Sequence, residues 1–181
     1  LHLSSLFGHI GVVRELIRYN AALNERDQDG STPLFLASEA GYYECVKALL
    51  EAGASSRITN HAGASSLHIA SHEGHLDIVR MVLQDGIDSN SKTQDGATAL
   101  ALAVQEGHTD IAQELIHFGA SPDIEHKGVP PLIIATHRGH DEMIRLLCHC
   151  GSNVNCALST GETPLFIASE QGHLEGVRIL L

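Results

Sequence analysis

The chain has 181 residues, 43% apolar and 18% charged, which is enough apolar material for a substantial core and excludes a disordered segment. Eleven Lys and Arg against 22 Asp and Glu leave a formal charge of −11 with histidine neutral, so repulsion argues against nucleic acid and anionic membranes as partners. No apolar run is long enough to span a bilayer, no basic-then-hydrophobic leader opens the chain, and three of the 4 cysteines crowd near one end, so the sequence predicts no membrane insertion and a cytoplasmic, reducing environment, with the nucleus left open.

Glycines set a period that organises everything else. One series, usually followed by histidine, falls at Gly8, Gly41, Gly74, Gly107, Gly139 and Gly172, with spacings of 33, 33, 33, 32 and 33. Residues 1–26 form a partial repeat, whose second helix carries Val12, Val13, Leu16 and Ile17 and ends at Asn20, where later units have glycine. The repeat 27–59 opens with the turn DQDGS, starts its first helix at STPLFLA (31–37), and places Cys45, Val46, Leu49 and Leu50 on its second helix before Gly53. The repeat 60–92 has SSLHIA at 65–70 and then Ile78, Val79, Val82 and Leu83. The repeat 93–124 has TQDGA at 93–97, TALALA at 98–103, and Ile111, Ala112, Leu115 and Ile116. In the repeat 125–157 one residue is missing between Gly119 and Gly128; PPLIIA at 130–135 and Met143, Ile144, Leu147 and Cys148 follow. The partial repeat 158–181 has TPLFIA at 163–168 and then Gly176 where a large aliphatic belongs, which predicts a weakened last helix.

Each unit reads the same way. Thr then Pro starts a helix, because the hydroxyl accepts an orphan N–H and proline has none to waste. Apolar residues at i, i+1, i+4 and i+5 make one buried stripe on the second helix. A closing glycine supplies the left-handed conformation, and Asp-Gly favours a tight reversal between units. No unit buries its stripe alone, so neighbours must stack. With no Trp and 4% aromatics, that stacked interior is aliphatic.

The 33-residue period, TPLFLA, TPLFIA, the Gly-His pairs and LLEAGA at 49–54 resemble ankyrin repeats over essentially the whole chain. The resemblance implies an all-α fold, an α-solenoid of stacked helix-turn-helix repeats with β-turn or hairpin fingers, forming a single domain over residues 1–181. Departures are Tyr42 for histidine, Pro130 for threonine, and Ser66 and Ala99 for proline. Both ends fall inside a repeat, so the sequence reads as an interior excerpt of a longer array, monomeric unless its cut ends associate.

Thirteen histidines invite a metal reading. His9, His75, His108, His140 and His173 follow the framework glycines, and His2 and His68 fill the slot after the leucine of TPLH, so hydrogen bonding within the framework accounts for seven. His68, His72 and His75 have helical spacing, but Gly74 interrupts it. Cys148 sits in the apolar stripe, and Cys150 and Cys156 lie near a loop. No nucleophile elbow, phosphate loop or dinucleotide fingerprint is present. The sequence therefore predicts no enzyme, no cofactor and no metal.

Subtracting the framework leaves two sets of variable residues. At the finger tips stand Gln28, Asp29, Ser31, His61, Gln94, Asp95, Lys127 and Glu162; on the first helices stand Glu39, His72, Glu73, Gln105, Glu106, His137, Arg138, Glu170 and Gln171. The resemblance implies that these line a concave surface that binds another protein. Their carboxylates predict a basic or mixed extended segment as its ligand. The expected function is a protein-protein interaction module, an adaptor or scaffold. The alternative is the targeting or regulatory arm of a larger enzyme or channel.

Overall fold

The computed structural model describes residues 1–181. It holds twelve short helices and no sheet, with one isolated bridge between His126 and Val129. None of these helices exceeds nine residues. Segments that short are marginal in water, so tertiary packing must hold them.

Two compact units emerge, Leu1–Asp88 with Lys92–Gln94, and Ser89–Ser91 with Asp95–Leu181. The first contains α1 (His2–Leu6), α2 (Ile10–Arg18), α3 (Pro33–Glu39), α4 (Tyr43–Glu51), α5 (Ser66–Glu73) and α6 (Leu76–Gln84). The odd-numbered helices pack side by side, α1 on α3 on α5, and the even-numbered ones form a second row, α2 on α4 on α6. The second unit contains α7 (Ala99–Glu106), α8 (Thr109–His117), α9 (Pro131–Arg138), α10 (Asp141–His149), α11 (Pro164–Glu170) and α12 (Leu174–Leu180), in the same two rows.

The core is aliphatic, as the composition requires. Leu34, Leu49, Leu67 and Ile78 fill the first unit, and Leu100, Ile111, Leu115, Leu132 and Leu147 the second, each at most 2% exposed. The stripe is less uniform than its sequence pattern. Val12 is 51% exposed while its neighbour Val13 is fully buried, and Ile17, Leu50 and Cys148 are only half-buried.

Side-chain caps start α3, α5, α7 and α11. The hydroxyls of Thr32, Thr98 and Thr163 accept from the backbone N–H of Phe35, Ala101 and Phe166. Ser65 and His68 form a reciprocal capping box. Pro130 offers no side-chain cap, a direct result of its substitution for threonine.

The Gly-His pair works across repeats. Gly41 sits at φ +77°, and a Cβ there would come within 2.6 Å of the His75 ring. That ring places Nε2 3.1 Å from the Glu39 carbonyl, closing the open end of α3. Gly107 and His140 repeat the arrangement, with Nε2 3.3 Å from the Gln105 carbonyl. The glycine of one repeat therefore makes room for the histidine of the next.

The fingers vary in a way that the spacing foreshadows. In the first, Asp27 N–H donates to the Ser31 carbonyl at 2.9 Å and Gly30 N–H to the Asp27 carbonyl at 3.0 Å. Asn60 and Ala64 close the second finger identically. Where one residue is missing, His126 and Val129 exchange both backbone bonds, at 3.0 and 3.1 Å. Lys127 at φ +53° and Gly128 at φ +75° make that reversal a type I′ hairpin turn. The predicted weakness at Gly176 does not interrupt α12, which runs through it with the glycine buried.

Candidate protein-binding surface

In the first unit the predicted residues gather along the finger tips and the carboxyl ends of α3 and α5. Asp27 Oδ1 accepts from Asp29 N–H at 3.0 Å and from Ser31 N–H at 2.8 Å, turning the finger back on itself and leaving Gln28 and Asp29 exposed. The same fold-back buries Ser31 to 4% exposure, which removes it from the expected contact set. His61 N–H donates to the Asp29 carbonyl, and Gln94 N–H to the Ala62 carbonyl, both at 2.9 Å. Backbone bonds thus string these tips together.

On the helices, Glu39 is half-buried, and His72 and Glu73 lie beside each other with Nδ1 2.9 Å from Oε1. Burial raises the Glu39 carboxyl above its ordinary value of 4.5, and the charges of Glu73 and Asp27 raise it further. Three carboxylates, Asp27, Glu39 and Glu73, therefore share one local field. Asp27 was absent from the sequence-based set because its place in DQDGS marks it as a turn former. It serves as both.

The second unit is mixed in sign. Asp95 Oδ2 lies 2.8 Å from Lys127 Nζ and 3.2 Å from His126 Nε2, so Lys127 pairs with this acidic tip. Gln105 donates to Glu106 at 3.0 Å, and Thr160 Oγ1 to Glu162 at 2.6 Å. His137 and Arg138 are exposed in the last turn of α9, where cations complement the helix dipole, and Glu170 and Gln171 are exposed at the end of α11.

The residues singled out for metal or thiol chemistry are scattered by comparison. No three His, Cys, Asp or Glu side chains are grouped to hold an ion. Burial pushes the Cys45, Cys148 and Cys156 thiols up, and Asp123 adds to this at Cys156, which works against thiolate nucleophiles. No helix is long and apolar enough to cross a membrane.

Comparison with known proteins completes the picture. The family model described as ankyrin repeats (3 copies) matches residues 1–60, 53–127 and 100–181. The crystal structure of an ankyrin repeat domain from Acinetobacter baumannii superposes with a TM-score of 0.92 at 29% identity, covering 99% of this chain and 94% of that one. No curated protein matches the chain.

Proposed function

The chain belongs to the ankyrin repeat family, whose members are in general protein-protein interaction modules, and from that premise we propose that it binds a partner protein through its finger tips and the exposed ends of its odd-numbered helices. The observation that carries the reading is the half-buried Glu39 at the end of α3 near the exposed finger tip of Gln28 and Asp29, with the charges of Glu73 and Asp27 acting on its carboxyl. The Glu39 carboxyl is raised first by burial and then by its like-charged neighbours, and an arriving cation relieves the repulsion, so the first unit favours a basic segment. The second unit's candidate residues include Lys127 and Arg138 as well as Glu106, Glu162 and Glu170, which suits a segment of mixed charge. Exposed pairs of this kind contribute ~0.2–1 kcal/mol each, and they act mainly on association rate and orientation. Affinity must come from apolar anchors in the same strip, such as Ala40, Ala62 and Val129.

Affinity capture with the intact chain, followed by binding kinetics on the captured protein, tests the reading. The double variant Glu73→Lys with Glu106→Lys should slow association and flatten its salt dependence while the helical circular dichroism stays unchanged. A partner indifferent to both the reversal and the salt would remove this surface from consideration.

A further inference from the structure

The first finger carries a contact that the next finger does not repeat. Gly30 closes its turn at φ +79° and donates its N–H to the Asp27 carbonyl at 3.0 Å. It is buried although the two residues before it, Gln28 and Asp29, are exposed. Two exposed side chains supply the cover. A Cβ at Gly30 would stand 2.7 Å from His61 Cδ2 and 2.9 Å from Arg26 Nη2, so the imidazole of the second finger and the guanidinium at the root of the first close over the glycine together.

Arg26 also ties the two fingers to each other. Its Nε donates to the Gly30 carbonyl at 3.1 Å and its Nη2 to the Thr59 carbonyl at 2.7 Å, so one planar group bonds to the first turn and to the chain entering the second. The His61 N–H, donated to the Asp29 carbonyl at 2.9 Å, is a further tie. Thr59 and Lys92 hold the slot of Arg26 in the next two repeats. At Gly63, the equivalent turn, the three atoms nearest a Cβ all belong to Thr93 and Gln94 of the following finger.

We propose that Arg26 and His61 are positioning residues of the binding surface, locking the first two fingers into one rigid edge and holding Gln28 and Asp29 in a fixed arrangement before a basic segment arrives. The proposal rests on the finger-tip reading above and adds what lets those tips bind well. Exposed turn tips are ordinarily mobile, and ordering them on contact costs affinity that a preformed tip keeps. Charge acts in the opposite sense. Arg26 adjoins Asp27 in the chain and is a cation, so on electrostatics alone its removal should tighten the binding of a basic ligand, whereas removal of a clamp should weaken it.

The probe is a peptide of about nine residues alternating lysine and serine, ~30 Å long when extended and so able to cross both fingers. It is titrated at two salt concentrations into the isotopically labelled 181-residue chain and into Arg26→Gln and Gly30→Ala, with amide shifts and amide exchange recorded. The unaltered chain should show shifts at Gln28, Asp29 and His61. Arg26→Gln should bind about threefold to tenfold more weakly with no flatter salt dependence, and its His61 amide should exchange faster. Gly30→Ala, whose methyl displaces both covering side chains without changing the charge, should do the same. Amides within α3 and α5 should keep their protection, which separates a finger effect from a general loss of stability. Binding by Arg26→Gln that is unchanged or tighter, a His61 amide that exchanges no faster, or losses spread through α3 and α5 would each overturn the positioning role and leave the finger-tip reading standing. No shifts at the tips of the unaltered chain would remove that reading and the proposal with it.

Discussion

Glu39 shows how a framework position and a surface position can be the same residue. Its backbone carbonyl accepts from His75 and so belongs to the stacking of repeats, while its carboxyl is raised by burial and then by the charges of Glu73 and Asp27. A carboxyl whose folded pKa is raised contributes its stability below the unfolded value of 4.5, and that contribution is lost as the pH rises through the folded value. At pH 7 the native chain therefore carries this carboxylate at a cost. Glu39→Gln keeps the shape and removes the charge, so it should raise the thermal midpoint at pH 7 and give no advantage below pH 4.5. Equal midpoint gains at both pH values would show that neither burial nor the neighbouring carboxylates burden the Glu39 charge. At this scale the sequence was only partly legible. The Gly-His dipeptides could be read because they recur with the period, although each ring works across to the preceding repeat. The burial of Ser31 and the pairing of Lys127 with Asp95 could not, since both depend on how a particular finger folds back, and that geometry does not repeat.

Helices of this length are decided by their ends and by a single stripe, which is why most of them could be placed from the sequence. Thr32, Thr98 and Thr163 each mark a start that the structure keeps. The stripe was less informative, because i, i+1, i+4, i+5 fixes which face turns inward but not how much of it a neighbour covers; hence Val12 is exposed and Val13 is not. Gly176 tested the opposite assumption, that a poor helix former must fray its helix. Packing overrides propensity there. A Cβ at Gly176 would meet His173 Cβ at 3.6 Å, Ala168 Cβ at 3.7 Å and Ile144 Cδ1 at 3.7 Å, which is ordinary contact. Gly176→Ala should then stabilise the chain by ~0.4–1 kcal/mol, through lower unfolded-state entropy and added contact. Chemical denaturation measures this directly. A destabilised variant would mean that the packing of α12 on α10 and α11 has less room than those distances indicate.

In each unit the helices contact their own repeat partner or the adjoining repeat, so stability is carried by nearest-neighbour interfaces. That is also why the fold class was legible before any contact was known. A period of 33 with an unburied stripe in every unit leaves stacking as the one way to cover the apolar surface. The binding surface follows from the fold only as a location, because its ligand is set by the residues the framework leaves free. A nearest-neighbour structure makes a spatial prediction about damage. Leu49 and Leu115 are fully buried, and removing either side chain to Ala should cost ~2–5 kcal/mol. Leu180 in the last helix is only half-buried and should cost less. Hydrogen exchange localises the effect. After Leu49→Ala, amides of α4 and of α2 and α6 beside it should exchange faster, while α10 and α12 keep their protection. After Leu115→Ala, the loss should centre on α8 and α10. If either substitution opened every helix to the same extent, stability would be held by one cooperative core, and the nearest-neighbour account would be wrong.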